Sequence, residues 1–153
     1  MARLLRLMVL PLAALMAFPC ISFGQTSAEV AAAWGLFGSW QVQCGGALDN
    51  SNPIYFYRAS GARVVLDRKF GADLGDSNMV SGVRRGGNGE ILYTVTFATT
   101  DPPQSREHVV VKAPDGMRMR VYSNRNPDTG QYVVRDGKFT DDGTTTPWMN
   151  RCQ

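Results

Sequence analysis

From Gly38 onward the chain is written as short alternating segments cut apart by turn residues, and that punctuation constrains the fold more than any other feature. Three Asp-Gly pairs, Asp115-Gly116, Asp136-Gly137 and Asp142-Gly143, break the second half. Asp-Gly between alternating segments specifies tight hairpins, because both turn positions tolerate positive φ. The segments EHVVVKAPDGMRMRVYS and QYVVRDGKFT read as two such hairpins. Upstream, SWQVQC, PIYFYRAS, ARVVLDRKF, SNMVSGVRR and EILYTVTFATT read as strands, with turns at Ser60-Gly61 and at Gly86-Gly87-Asn88-Gly89. In the last of these strands Ile91, Tyr93, Val95 and Phe97 share one face, and Leu92, Thr94 and Thr96 share the other. The one helical segment is SAEVAAAW, residues 27–34, capped by Ser27, favoured by its alanines and stopped at Gly35 or Gly38.

About eight or nine strands with short connections make the chain mainly β. Sequential hairpins close most economically as an antiparallel up-and-down β-barrel of about eight strands, which has no free edges. A β-sandwich is the alternative. The termini bear on this choice. MARLLRL is basic, MVLPLAALMAFPCI is apolar, and Ser22 and Gly24 stand at the minus-three and minus-one places of a cut before Gln25. This is the layout of a secretory leader, so residues 1–24 are expected to be a signal peptide and 25–153 a single β-barrel domain. Cys20 as a lipidated residue is the competing reading, and Phe18-Pro19 before it fits such a site poorly. Cleavage removes Arg3 and Arg6, so the formal charge of +3 falls to +1, without the strong, clustered excess of Lys and Arg that attracts nucleic acid. It also leaves two cysteines, Cys44 and Cys152, which in an oxidising compartment read as a disulfide. A barrel needs its first and last strands to be neighbours, and this bond would hold them so, with Trp40 and Trp148 as apolar plugs near the seam.

The motif Gly38-Ser39-Trp40, preceded by the turn at Leu36-Phe37 and followed by a strand meander, resembles the start of the lipocalin-like (calycin) barrels. That resemblance implies that Trp40 packs across the closed end of a barrel. It makes Arg151, beside Cys152, the candidate basic residue of the closing strand. The chain is also similar to small exported bacterial proteins that share WxVxC near the mature start and DGKxxxxGxxTPWxxxC at the end. Here these are Trp40 to Cys44 and Asp136 to Cys152. This likeness implies export, the disulfide and the fold.

No catalytic constellation emerges. The single histidine, His108, lacks the Gly-x-Ser-x-Gly elbow of a hydrolase and reads as an exposed residue at a strand start. The run NRNPDTG, residues 124–130, spaces Asn124, Asn126 and Asp128 like part of a calcium loop, but the glycine and terminal glutamate of such a loop are missing, so a plain turn is expected. Arg84, Arg85, Arg118, Arg120 and Arg125 would form a basic strip if their strands adjoin; the near-neutral charge reads as a solvated face balanced by acids. The expectation is therefore a non-enzymatic periplasmic or secreted binding module, without metal or cofactor, for a small hydrophobic or amphipathic ligand. Tyr55, Tyr57, Tyr93, Phe97, Met117 and Met119 are the possible lining residues. The alternative is an envelope protein-interaction domain, such as an enzyme inhibitor, that presents residues 71–76 or 124–130 to its partner.

Overall fold

The computed structural model of the chain describes residues 24–152. The expected leader, including Cys20, lies outside the described residues apart from Gly24. Among the described residues one helix, α1 (Ser27–Trp34), precedes ten strands. They are β1 (Gly38–Gln41), β2 (Ile54–Ser60), β3 (Arg63–Lys69), β4 (Gly75–Arg85), β5 (Ile91–Phe97), β6 (Gln104–Lys112), β7 (Arg118–Arg125), β8 (Tyr132–Arg135), β9 (Lys138–Phe139) and β10 (Met149–Cys152). No helix among the described residues is long and apolar enough to cross a membrane.

Eight of the strands form a closed antiparallel barrel. Strands β1 to β7 each pair with the next in sequence, and β10 returns to pair with both β7 and β1. A two-sheet sandwich is thereby ruled out, because one continuous sheet runs around the molecule and meets itself. The β8–β9 hairpin stands outside the ring, paired to the far half of β7 at Asn124↔Val134 and Arg125↔Tyr132. Its Asp136-Gly137 turn has φ of 52° and 72°, the doubly positive pair that Asp-Gly specifies.

Helix α1 covers the end of the barrel that carries the β2–β3, β4–β5 and β6–β7 turns. Its cap is Thr26 rather than Ser27, because Glu29 lies three residues after Thr26 and completes a reciprocal capping box. Gly35 ends it in the left-handed conformation. The indole of Trp34 donates to Gly89 O at 2.7 Å, the Arg85 guanidinium donates to Ala33 O at 2.5 Å, and the Lys112 ammonium donates to Trp34 O. Beneath the helix Leu36 and Trp40 are fully buried, and Trp40 Nε1 donates to Leu36 O at 2.8 Å. Gly38 holds φ of +120°, and the Arg151 guanidinium passes over it to Phe37 O at 2.8 Å. The same guanidinium carbon lies 5.8 Å from the Trp40 ring. Ile91, Val64, Val80 and Val110, all fully or almost fully buried, complete a dry plug at this end.

Strand β1 is shorter than SWQVQC suggests. After Gln41 the chain leaves the sheet, and buried Gln41 and Asn52 replace the ladder with side-chain bonds to the loop: Asn52 Oδ1 accepts from Gln43 N at 2.8 Å, and Gln41 Oε1 from Gly45 N at 3.3 Å. Cys44 is thus a loop residue, not the end of a strand. It is bonded to Cys152, with Cα atoms 5.6 Å apart and 108 residues between them in sequence. Since β10 is also held by backbone ladders on both sides, the Cys44→Ala/Cys152→Ala pair of substitutions should leave the barrel folded. It should lower unfolding free energy by roughly 5 kcal/mol, the loop-closure value for a span of this length. Urea denaturation with near- and far-ultraviolet circular dichroism checks both parts.

Candidate functional site

Side-chain parity carries the interior from apolar to polar along the barrel axis. In β3 the inward residues run Val64, Leu66, Arg68; in β6 they run Val110, His108, Arg106, counted from the closed end. The end away from α1 is not filled. It holds a cavity of about 190 Å³ bounded by Tyr55, Leu66, Arg68, Phe97, His108, Val121 and Met149 from the barrel wall. Val134 and Phe139 of the β8–β9 hairpin form one side. That hairpin is pinned against the barrel by Thr146, whose hydroxyl donates to Val121 O at 2.7 Å and reaches Gly137 O at 3.2 Å.

Arg68 is the cation of this end. Its Nε donates to Asp76 Oδ1 at 2.8 Å and a terminal nitrogen donates to Asp76 Oδ2, across the directly paired positions Arg68↔Asp76 of β3 and β4. Burial pushes the Asp76 carboxyl up, but the hydrogen bonds and charge of Arg68 outweigh it and hold the group below the usual carboxylate range. The guanidinium also lies 4.3 Å from the centre of the Phe97 ring and 5.0 Å from that of Phe70. Two aromatic faces and a bidentate carboxylate fix its position. Deeper in, Tyr57 and Tyr93 are buried with their hydroxyls 2.7 Å apart, and burial pushes both phenols up.

His108 is buried, 8% exposed, and its ring stacks on Tyr93 with centroids 5.4 Å apart. Neither ring nitrogen has a hydrogen-bond partner among the described residues, and the same holds for Oδ1 of Asn124, its cross-strand neighbour on β7. Each buried polar atom left unpaired costs about 1 to 3 kcal/mol. The burial, reinforced by the positive charges of Arg68 and Arg106, pushes the imidazole down to about 4, so it is neutral at physiological pH. A neutral imidazole presents one donor and one acceptor.

These positions correct several expectations. His108 is not an exposed strand-end residue; register with Tyr93 turns it inward, and the neighbouring valines gave no alternation from which its face could be read. Met117 is 57% exposed in the β6–β7 turn and lines nothing, because Gly116 and Asp115 place it beyond the barrel wall. Tyr55 and Phe97 do bound the cavity; Tyr57, Tyr93 and Met119 belong to the packed core instead. Gly38, Trp40 and Arg151 come together at the closed end, whereas Trp148 does not join them. Met149 points into the barrel, so Trp148 lies on the outer wall, with the guanidinium of Arg120 4.7 Å from its ring. The arginines form no continuous strip: Arg118 pairs with Asp115 at 2.7 Å, Arg125 with Glu107 at 3.4 Å, and Arg85 bonds α1. Asn126 closes its own turn by accepting from Asp128 N at 2.8 Å and Thr129 N at 3.2 Å, while Asn124 lies on β7.

Arg68, Asp76, His108 and Asn124 are the site residues that the sequence reading missed. For Arg68 a signal existed, since parity from Leu66 and the β3–β4 register place it inward and opposite an acid. Among the described residues no three His, Cys, Asp or Glu side chains converge as metal ligands. No family model, no curated protein and no solved structure matches the chain.

The histidine gives a pH dependence with a definite sign. Its ordinary value near 6.5 applies to the unfolded chain and about 4 to the folded one, so below pH 6.5 the unfolded state takes up a proton that the folded state refuses. Stability contributed by His108 should therefore fall as pH drops from 6.5 to 4. Between pH 7 and 4.5 the loss is expected to be about 2 to 3 kcal/mol. Denaturant melts at the two pH values should show this difference in the parent protein and show it largely removed in His108→Phe.

Proposed function

We propose that this chain is an exported, non-catalytic binding module that takes a small, mostly apolar molecule into the unfilled end of its barrel, in the periplasm or outside the cell. The observation that carries the reading is the asymmetry of the interior: one end is packed solid by Trp40, Leu36 and α1, and the other holds the cavity of about 190 Å³. A barrel of eight strands has room either to fill itself or to hold one small ligand. Here the two solutions occupy opposite ends. The cavity is below the roughly 300–1,000 Å³ of sites for drug-sized molecules, which limits the ligand to a short one. The Gly38–Trp40–Arg151 cluster supports a lipocalin-like relationship, in which such binding is the common use of the fold. The leader-like residues and the Cys44–Cys152 bond support an oxidising, exported location.

Native mass spectrometry of the exported protein, released gently from its own cells, tests this reading. The expected spectrum shows the oxidised chain together with a non-covalent small organic mass that leaves at raised collision energy. Val121→Trp, which places an indole in the cavity, should be exported and oxidised but arrive without that mass. A bare parent protein that also takes up no xenon in solution would contradict the proposal and move weight to recognition of another protein through residues 71–76 or 124–130.

A further inference from the structure

We infer that the cavity recognises an uncharged molecule of about one ring whose polar head carries a donor and an acceptor side by side, as a carboxamide does, with His108 and Asn124 as its hydrogen-bonding partners. The inference rests on the binding reading above and goes beyond it by specifying the ligand's charge and polar group. Three observations converge on it.

The first is the unmet hydrogen-bonding capacity. The buried His108 ring lines the cavity with both nitrogens unpartnered among the described residues, and the adjacent Asn124, also a lining residue, has its Oδ1 unpartnered as well. A neutral imidazole asks for one acceptor and one donor, and the Asn124 oxygen asks for a donor. Buried polar groups are nearly always satisfied, so a standing set of this kind, closed off in a cavity wall, is where an occupant that turns these side chains toward it gains hydrogen bonds.

The second is charge. Arg68, the cation that lines the cavity, is already held bidentately by Asp76. The Asp76 carboxylate offsets the charge of that guanidinium and would repel an anion brought beside the pair. A cation would sit beside Arg68 and within the field of Arg106, the two charges that act on the His108 ring. The other ionisable groups packed against that ring are Tyr93 on β5, stacked on it, and the deeper Tyr57 bonded to Tyr93; both are neutral phenols. An uncharged head group is what this environment leaves.

The third is size and shape. An apolar cavity of about 150 Å³ accepts benzene, so about 190 Å³ takes one ring with a small substituent. Tyr55 and Phe97 supply aromatic walls and Leu66 and Val121 aliphatic ones.

The test compares four ring compounds of similar size on the unmodified oxidised protein: benzamide, benzoate, benzylamine and ethylbenzene. Binding is followed through the side-chain resonances of the single histidine and through the methyls of Leu66 and Met149. Benzamide should bind saturably and shift the His108 ring, at least about tenfold more tightly than each of the other three, the advantage of one or two well-formed hydrogen bonds over none. In His108→Phe, which keeps an aromatic ring against Tyr93, that advantage should fall to about threefold or less. If benzoate binds more tightly than benzamide, or ethylbenzene equals it with the methyls shifting, the inference about the head group is overturned while the binding site itself stands. If none of the four perturbs either the methyls or His108, the inference and the binding reading fall together. The comparison on the parent protein decides the matter even if the variant does not fold.

Discussion

Everything in this molecule hangs on a four-residue strand at the end of the chain. β10 pairs with β1 through Ser39↔Cys152, Trp40↔Arg151 and Gln41↔Asn150, and with β7 through Met149↔Met119 and Asn150↔Arg118. Without it the meander would be an open sheet with two unpaired edges, each a template for wrong pairing. With it the sheet closes, and closure makes an inside. The disulfide, one residue from the seam's central pair, ties the loop after β1 to this strand, and Asn150 adds a bond from its side chain to Val42 O at 2.6 Å. The same strand delivers Arg151 over Trp40 and Met149 into the cavity wall, so closure, plug and site share one structural element.

The inside that results is graded. Near α1 it is apolar and close-packed, with two indole bonds and one pair of phenols among its few polar contacts. Toward the other end the inward positions become Arg68, Asp76, Asn78, Arg106 and His108; hydrogen bonds link Arg68, Asp76 and Asn78, and stacking on Tyr93 holds His108. Rigid placement of polar groups beside unfilled volume distinguishes a binding end from a badly packed one. Arg68 illustrates the principle: two contacts to Asp76 and two aromatic rings leave it no freedom to collapse into the space next to it. His108 is different, because its stacking on Tyr93 fixes the ring but satisfies neither nitrogen.

Much of the architecture was legible in the sequence because it depends on local chemistry. Asp136-Gly137 adopts the turn its residue types require, Ile91, Tyr93 and Val95 all point inward as their alternation indicates, and Cys44 finds Cys152. The losses have physical causes too. SWQVQC alternates through Cys44, yet Gln41 and Asn52 offer the backbone better bonds in a loop, and no periodicity reports that competition. Three successive valines hide the parity of β6, and the bulge opposite Val109 and Val110, where Tyr122 is the extra residue, defeats counting along β7. The β8–β9 hairpin reads like any other in sequence, and only its pairing with the outer half of β7 shows that it stands beside the mouth, not in the ring. Fold is therefore written in turns and alternation, whereas the site is written in register.

The proposed function depends on a buried, neutral His108 beside unfilled space at the end of the barrel away from α1. Because the chain has one histidine, a pH titration of its ring carbon and proton shifts by NMR reads that group without ambiguity. A midpoint near 4, with slow exchange of the ring with solvent, is the predicted result. A midpoint near 6.5, the value of an open imidazole, would place His108 in water and contradict the graded interior on which the proposed function depends.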